Sequence, residues 1–309
     1  MRSTFINTLT EMAREDKKIM CLIGDTGFSV FEKFEEEFGS RFLNVGIAEQ
    51  NFVSIGAGLA AMGMKPYIYN VVSFMTLRAT EQILLDVCYQ ENAVVLVGVG
   101  GGMAYATAGP THHAFHDIAM MSSMPNMTVT CPGDPVEMKA IMLQSKYYDK
   151  PLYIRIGRST DPIVHQNDIN FEIGKAIKMF EGVDATIFVT GVMLQEAVKV
   201  RQLLLKKGIS VGLYSMPTVK PIDKEIIKER AALRKPIFTI EEHSIIGGLG
   251  DAVGRILCEN MVISPVCFYK FGINDQFAPV TGSRDYLRNI FGINSEKIVE
   301  KIVKLLDRK

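Results

Sequence analysis

A carboxylate at the start of a helix, just after a short strand, is the first feature with chemical promise. In Asn44-Val45-Gly46-Ile47-Ala48-Glu49-Gln50, an apolar run at 42–45 ends in a glycine, and Glu49 then opens a helical pattern that reaches residue 62. In parallel α/β sheets, ligands bind at the carboxyl ends of strands, where such strand-to-helix turns sit. The same acid would also complement the helix dipole, which is a purely structural use. The heptapeptide leaves both readings open.

Histidines and arginines add further candidates. His112, His113 and His116 follow Gly109-Pro110-Thr111. Pro110 and Thr111 predict a helix start, with Thr111 as N-cap. His112 and His116 would then share one face at the spacing of a zinc pair, but no glutamate lies between them and no third ligand is evident. The other readings are a helix-capping histidine, or one that touches substrate or shuttles a proton, since imidazole titrates near neutrality. Arg155 and Arg158 flank Ile156-Gly157 at the end of a strand pattern. Two guanidinium groups there suit a phosphate, or else surface ion pairs. Phe74 follows another strand and is either core or an aromatic wall for a flat ring. Arg78 stands four residues later, just before the helix start Ala79-Thr80-Glu81-Gln82.

Two glycine-rich loops are weaker signals. Gly98-Val99-Gly100-Gly101-Gly102 lacks the Gly-Lys-Ser/Thr ending of a Walker loop. Gly247-Gly248-Leu249-Gly250-Asp251-Ala252-Val253-Gly254 is out of register with a dinucleotide fingerprint. Tight helix–sheet packing is the expected reason for it.

The elements that must hold these residues alternate. Continuous apolar runs predict strands at 19–23, 42–45, 66–72, 94–99, 127–131 and 152–156. Helical spacing fills 28–38, 49–62, 76–90, 115–121 and 135–148. A polar seam at 159–170 follows. The rhythm then restarts with strands at 186–190, 211–214, 237–240 and 266–269 and helices at 194–206, 224–233, 249–261 and 296–306. The expectation is an α/β protein of two doubly wound domains with mostly parallel sheets, spanning 1–165 and 176–309.

Composition narrows the class. The 309 residues carry 34 basic and 34 acidic side chains, so no electrostatic footprint for nucleic acid is present. Cys21, Cys88, Cys131, Cys258 and Cys267 show no C-x-x-C spacing, which argues against structural zinc and fits reduced thiols. Residues 1–18 lack the apolar core of a signal peptide, and no run is long enough to span a bilayer. A soluble, cytoplasmic protein without membrane contact is expected.

Taken in order, these segments resemble the carboxyl-terminal half of a transketolase. The resemblance rests on Gly24-Asp25, the stretch 44–50, Phe74-Met75-Thr76-Leu77-Arg78-Ala79-Thr80-Glu81-Gln82, Gly109-Pro110-Thr111-His112 and Pro125-Asn126-Met127-Thr128-Val129. Met216-Pro217, Lys220-Pro221-Ile222-Asp223 and Glu241-Glu242-His243-Ser244-Ile245-Ile246-Gly247-Gly248 continue it, so it runs nearly end to end. It implies a thiamine-diphosphate enzyme with a pyrimidine-binding domain followed by the transketolase C-terminal domain. Glu49 then matches the glutamate that hydrogen-bonds the aminopyrimidine, favouring the imino tautomer that generates the carbanion. Phe74 matches the aromatic stacked on that ring. Asp25 falls in the loop facing the cofactor, and Arg78, in the same motif as Phe74, is implied as a further cofactor-binding residue. His112 matches a contact to substrate hydroxyls and a catalytic position. Arg158, with Arg155, matches the sugar-phosphate grip.

What the family pattern lacks here is also informative. Transketolases hold diphosphate and metal with Gly-Asp-Gly and a later Asn. No Gly-Asp-Gly occurs, because Gly24-Asp25, Gly133-Asp134 and Gly250-Asp251 each lack the third glycine. The resemblance therefore implies a split enzyme. A separate N-terminal-section subunit would carry the diphosphate and Mg2+ or Ca2+, with two copies of each chain and sugar-phosphate substrates. Where the family commonly has an aspartate before Gly-Pro-Thr-His, this chain has Ala108, which points to an unusual sugar. Tyr105 and Thr107 are the hydrogen-bonding residues nearby. A carboligase using pyruvate, like deoxyxylulose-phosphate synthase, and a non-catalytic homologue remain as alternatives.

Overall fold

The computed structural model describes residues 1–158, 161–259 and 267–307. The apolar runs of the first half form β1 (Ile19–Ile23), β2 (Phe42–Asn44), β3 (Lys65–Val71), β4 (Val95–Val99), β5 (Thr128–Thr130) and β6 (Leu152–Ile156). These lie parallel in the order β5-β6-β4-β3-β1-β2. Every residue of β3, β4 and β6 is buried, because helices cover both faces. Alternation along β3 feeds two cores. Tyr67 and Tyr69 pack with helices Arg2–Glu15 and Pro135–Ser145, while Ile68 packs with Glu49–Ala61.

The second half contributes β7 (Ile177–Phe180), β8 (Ala185–Val189), β9 (Val211–Ser215), β10 (Thr218–Lys220), β11 (Ile237–Ser244) and β12 (Phe268–Ile273). Five of them form a second sheet, β12-β11-β8-β9-β7, parallel except where β7 runs against β9. The sixth, β10, pairs antiparallel with β5 and becomes the edge of the first sheet. The two α/β domains are thus laced together by a strand that crosses the apparent boundary.

Differences from the sequence reading have local causes. Helix Arg2–Glu15 was not expected, since its apolar residues Phe5, Ile6, Leu9, Met12 and Ala13 are scattered among polar and charged ones. Helix Arg284–Phe291 was missed for the same reason. The run expected at 76–90 divides into Val72–Arg78, Thr80–Gln82 and a π-helical Ile83–Tyr89. Residues 159–160 of the expected seam, 260–261 of an expected helix and 266 of an expected strand lie outside the described residues.

Candidate active site

Parallel strands bring their carboxyl ends to one edge of the sheet, and the candidate residues gather there. Asn44, the last residue of β2, accepts from the amides of Asp25 and Gly46 at 3.0 Å each through Oδ1. This ties the ends of β1 and β2 together. Gly46 takes φ +77°, a turn that glycine makes without strain, and helix Glu49–Ala61 starts three residues on. Asp25 itself is exposed at φ +54°.

Glu49 is buried, with 5% of its side chain accessible. Its Oε1 accepts from Arg78 Nη1 at 2.7 Å and from Asn70 Nδ2 at 3.4 Å. Asn70 was not singled out by the sequence, although an asparagine inside the buried, mostly apolar β3 was a usable signal. The guanidinium of Arg78 also lies 4.2 Å from the centre of the Phe74 ring. A hollow of about 530 Å³ opens beside these groups, lined by Ile47, Ala48, Glu49, Gln50, Asn51 and Arg78.

From Phe74 a row of rings leads across the site. His112 meets Phe74 edge-on at 5.0 Å and Tyr105 at 5.8 Å. The Arg158 guanidinium then covers Tyr105 at 4.9 Å. Gly100 makes room for this row: at φ +93°, a Cβ there would stand 2.2 Å from the Tyr105 ring. The structure therefore brings Glu49, Phe74, Arg78, His112 and Arg158 into one continuous set of contacts.

Two expectations are corrected. Residues 110–112 form a turn rather than a helix, with Gly102 bridging Ala114, and the helix begins only at Asp117. His112 and His116 therefore do not share a helical face, and the spacing argument for a zinc pair falls. His113 is buried, and its Nε2 lies 3.2 Å from the Ala106 carbonyl. The paired-arginine fork is also overturned. Arg155 is buried, donates to Asp117 Oδ2 at 2.8 Å through Nε, and spends Nη2 on the carbonyls of Ala114 and Glu242. It is a structural strut, and of the two only Arg158 remains exposed for a ligand.

Around that strut lies a buried charged network that sequence reasoning did not find. Glu242 is clasped by Arg284 and Arg288, at 2.8 and 2.6 Å, and accepts from the Met103 amide. Burial alone would raise its pKa, but the two arginines hold it down at about 2. Its neighbour Glu241 makes no ion pair with arginine or lysine among the described residues, and burial pushes it up to about 7. Glu241 accepts from the amides of Leu249 and Gly250, at 2.8 Å each. The start of the second glycine-rich loop is thereby already capped. A Cβ at Gly248 would meet Glu241 at 1.9 Å, so packing accounts for that glycine, as expected.

Comparison with known proteins gives this arrangement a context. The model of the transketolase pyrimidine-binding domain matches residues 1–162, and that of the transketolase C-terminal domain matches 174–298. An apulose-4-phosphate transketolase subunit of Phocaeicola vulgatus is 36% identical, over 99% of this chain and 97% of its own. A 6-deoxy-6-sulfo-D-fructose transketolase subunit of Clostridium sp. (strain MSTE9) is 34% identical, over 100% and 95%. Among solved structures, a split-gene transketolase described as an inactive β4 tetramer superposes with a TM-score of 0.90 at 35% identity. The match covers 99% of this chain and 98% of that one.

Proposed function

The chain belongs to the transketolase family, as the pyrimidine-binding and C-terminal section of an enzyme divided over two chains, and from that premise we propose how its site is completed and used. It moves a two-carbon ketol unit between sugar phosphates, and does so only when a second subunit supplies the diphosphate and metal half. The observation that carries this reading is the buried Glu49 carboxylate at an open hollow, joined through Arg78 to the Phe74 ring.

The residues present fit the ring end of thiamine diphosphate. Among the described residues, both hydrogen-bond partners of the Glu49 carboxylate fall on Oε1. That leaves Oε2 for a ring nitrogen of the cofactor. A hydrogen bond between a buried carboxylate and such a nitrogen is stronger than one made in water. Phe74 offers a face for stacking. When bound, thiamine diphosphate supplies the nucleophile for two-carbon transfer. Asp25 stands at the cofactor-facing end of β1. Diphosphate and Mg2+ or Ca2+ belong to the N-terminal-section subunit, in keeping with the missing Gly-Asp-Gly.

That partner needs a surface. Ile47 is 75% exposed and Tyr89 76%, and Leu77, Leu84 and Leu85 add open apolar area close in sequence to Glu49 and Arg78. Two copies of each chain make the working assembly, in the cytoplasm. No helix among the described residues is long and apolar enough to cross a membrane.

On the substrate side, His112 contacts sugar hydroxyls and Arg158 the phosphate. Ala108, exposed and without a hydrogen-bonding side chain, leaves the family's usual hydroxyl contact unmade. A ketose with an altered pattern of substituents suits that gap. The relatives named for apulose 4-phosphate and 6-deoxy-6-sulfo-D-fructose support this choice.

Co-purification with an N-terminal-section subunit tests the reading. The complex is weighed and titrated with thiamine diphosphate and magnesium. Tight binding by the mixed complex alone is expected. Tight binding by this chain alone would place a diphosphate site within it, and binding by neither would overturn the proposal.

A further inference from the structure

We infer that Arg78 is a built-in stand-in for the cofactor's ring, a latch that occupies the Glu49–Phe74 site until cofactor displaces it. Such a latch presupposes the role proposed above for those two residues. A guanidinium is flat, delocalised and edged with N–H donors, and it stacks on aromatic faces. An aminopyrimidine is flat, aromatic and carries an exocyclic amine. The two contacts such a ring needs are a carboxylate oxygen at its edge and an aromatic ring at its face. Arg78 makes both at once, with Nη1 2.7 Å from Glu49 Oε1 and its guanidinium carbon 4.2 Å over Phe74.

A ring that enters to stack on that face of Phe74 and bond Glu49 must move the guanidinium aside. The move leaves no charge stranded. The Arg78 side chain is 47% exposed and turns to solvent, while the buried Glu49 exchanges the guanidinium for the incoming ring and keeps a partner throughout. The move is also local. Arg78 is the last residue of helix Val72–Arg78, and the chain turns at Ala79 before Thr80–Gln82, so the side chain can swing into the hollow it lines without unwinding a helix.

The latch gives the chain a resting state in which a buried carboxylate keeps a partner while no cofactor is present. An uncompensated buried charge is costly, and Arg78 removes that cost. Cofactor affinity is then lowered by the fraction of time the latch is shut.

Calorimetric titration of the two-subunit complex with thiamine diphosphate, at saturating magnesium, tests this. Arg78→Met keeps the bulk of the stem but neither pairs nor presents a flat cation. The expected result is an apparent Kd about fivefold lower than wild type at low salt, as for removal of a competing closed state. The gap should narrow but not vanish at about 1 M salt, because the half-exposed guanidinium is screened while the buried Glu49 is screened much less. Arg78→Lys pairs without offering a flat group and should fall between the two. Equal or weaker binding by Arg78→Met at low salt, with the wild-type complex binding normally, overturns the latch alone. No binding by the wild-type complex overturns both the latch and the site reading beneath it.

Discussion

The Arg155 guanidinium donates to the backbone carbonyl of Glu242 at 3.0 Å, joining the end of β6 to β11 across the two sheets. Its Nε holds Asp117 at 2.8 Å, with both side chains almost wholly buried. Arg155→Met therefore leaves a buried carboxylate without its cation, which costs about 3–5 kcal/mol. A drop of that size in urea unfolding is expected.

Arg158→Ala should behave oppositely. Arg158 is exposed and rests on Tyr105, so stability should change by no more than about 0.5 kcal/mol. KM for phosphorylated substrates should rise by about tenfold, the worth of one charge-assisted contact, while KM for unphosphorylated analogues stays put. An unchanged phosphate preference would remove Arg158 from the grip.

Glu49→Gln should cut turnover of the assembled enzyme by about 10²–10⁴, the usual worth of a positioned acid or base. The fold should persist, because an acid in a first helical turn contributes only about 0.3–1 kcal/mol. Steady-state rates and thermal unfolding of the same preparation check both halves of the statement.

These contrasts show where the sequence was readable. Glu49, Phe74 and Arg158 follow strand ends, so local pattern was enough to place them on one edge of a parallel sheet. Arg155 sits in the same kind of position, and pattern alone could not tell it from Arg158. Its fate depends on Asp117 and Glu242, which lie 38 and 87 residues away in sequence. The strand β10 is three residues long, too short for any periodicity, and exists because β5 offers it an edge. The turn at 110–112 defeated a reading built on capping residues, because pairing between Gly102 and Ala114 fixes the chain there instead.

Stability should be bounded on both sides of neutrality. Burial opposes ionisation of Glu242, but Arg284 and Arg288 outweigh it and hold the group at about 2, below its unfolded value. That contribution is complete above the ordinary carboxylate range and is lost as pH falls toward about 2. Glu137 is the reverse. Burial raises it to about 7, against hydrogen bonds from Ser215 and Gly133, so its contribution is present at low pH and is lost as pH rises through about 7. Glu137→Gln retains both partners with a neutral group. It should be more stable than wild type at about pH 8, by about 1–3 kcal/mol, and no more stable at about pH 4. Denaturant midpoints at the two pH values decide it.

Gly100→Ala tests the ring row. Alanine must take φ +93° and place Cβ 2.2 Å from the Tyr105 ring. The strain costs about 1–3 kcal/mol, and Tyr105 has to shift, carrying Arg158 with it. The expected signature is a raised KM for phosphorylated substrate alongside the lost stability. Loss of stability with unaltered KM would show that Tyr105 does not position Arg158.

The lacing of β10 onto β5 sets a rule for how this gene can be cut. A break near residue 170 looks harmless by composition, yet it would strip the first sheet of its outer strand and leave β5 with a bare row of amides and carbonyls. The two halves would be released as sticky fragments rather than as independent modules. Natural fission, fusion and domain exchange among these enzymes should therefore spare this joint, and the two α/β domains should be inherited as one indivisible piece.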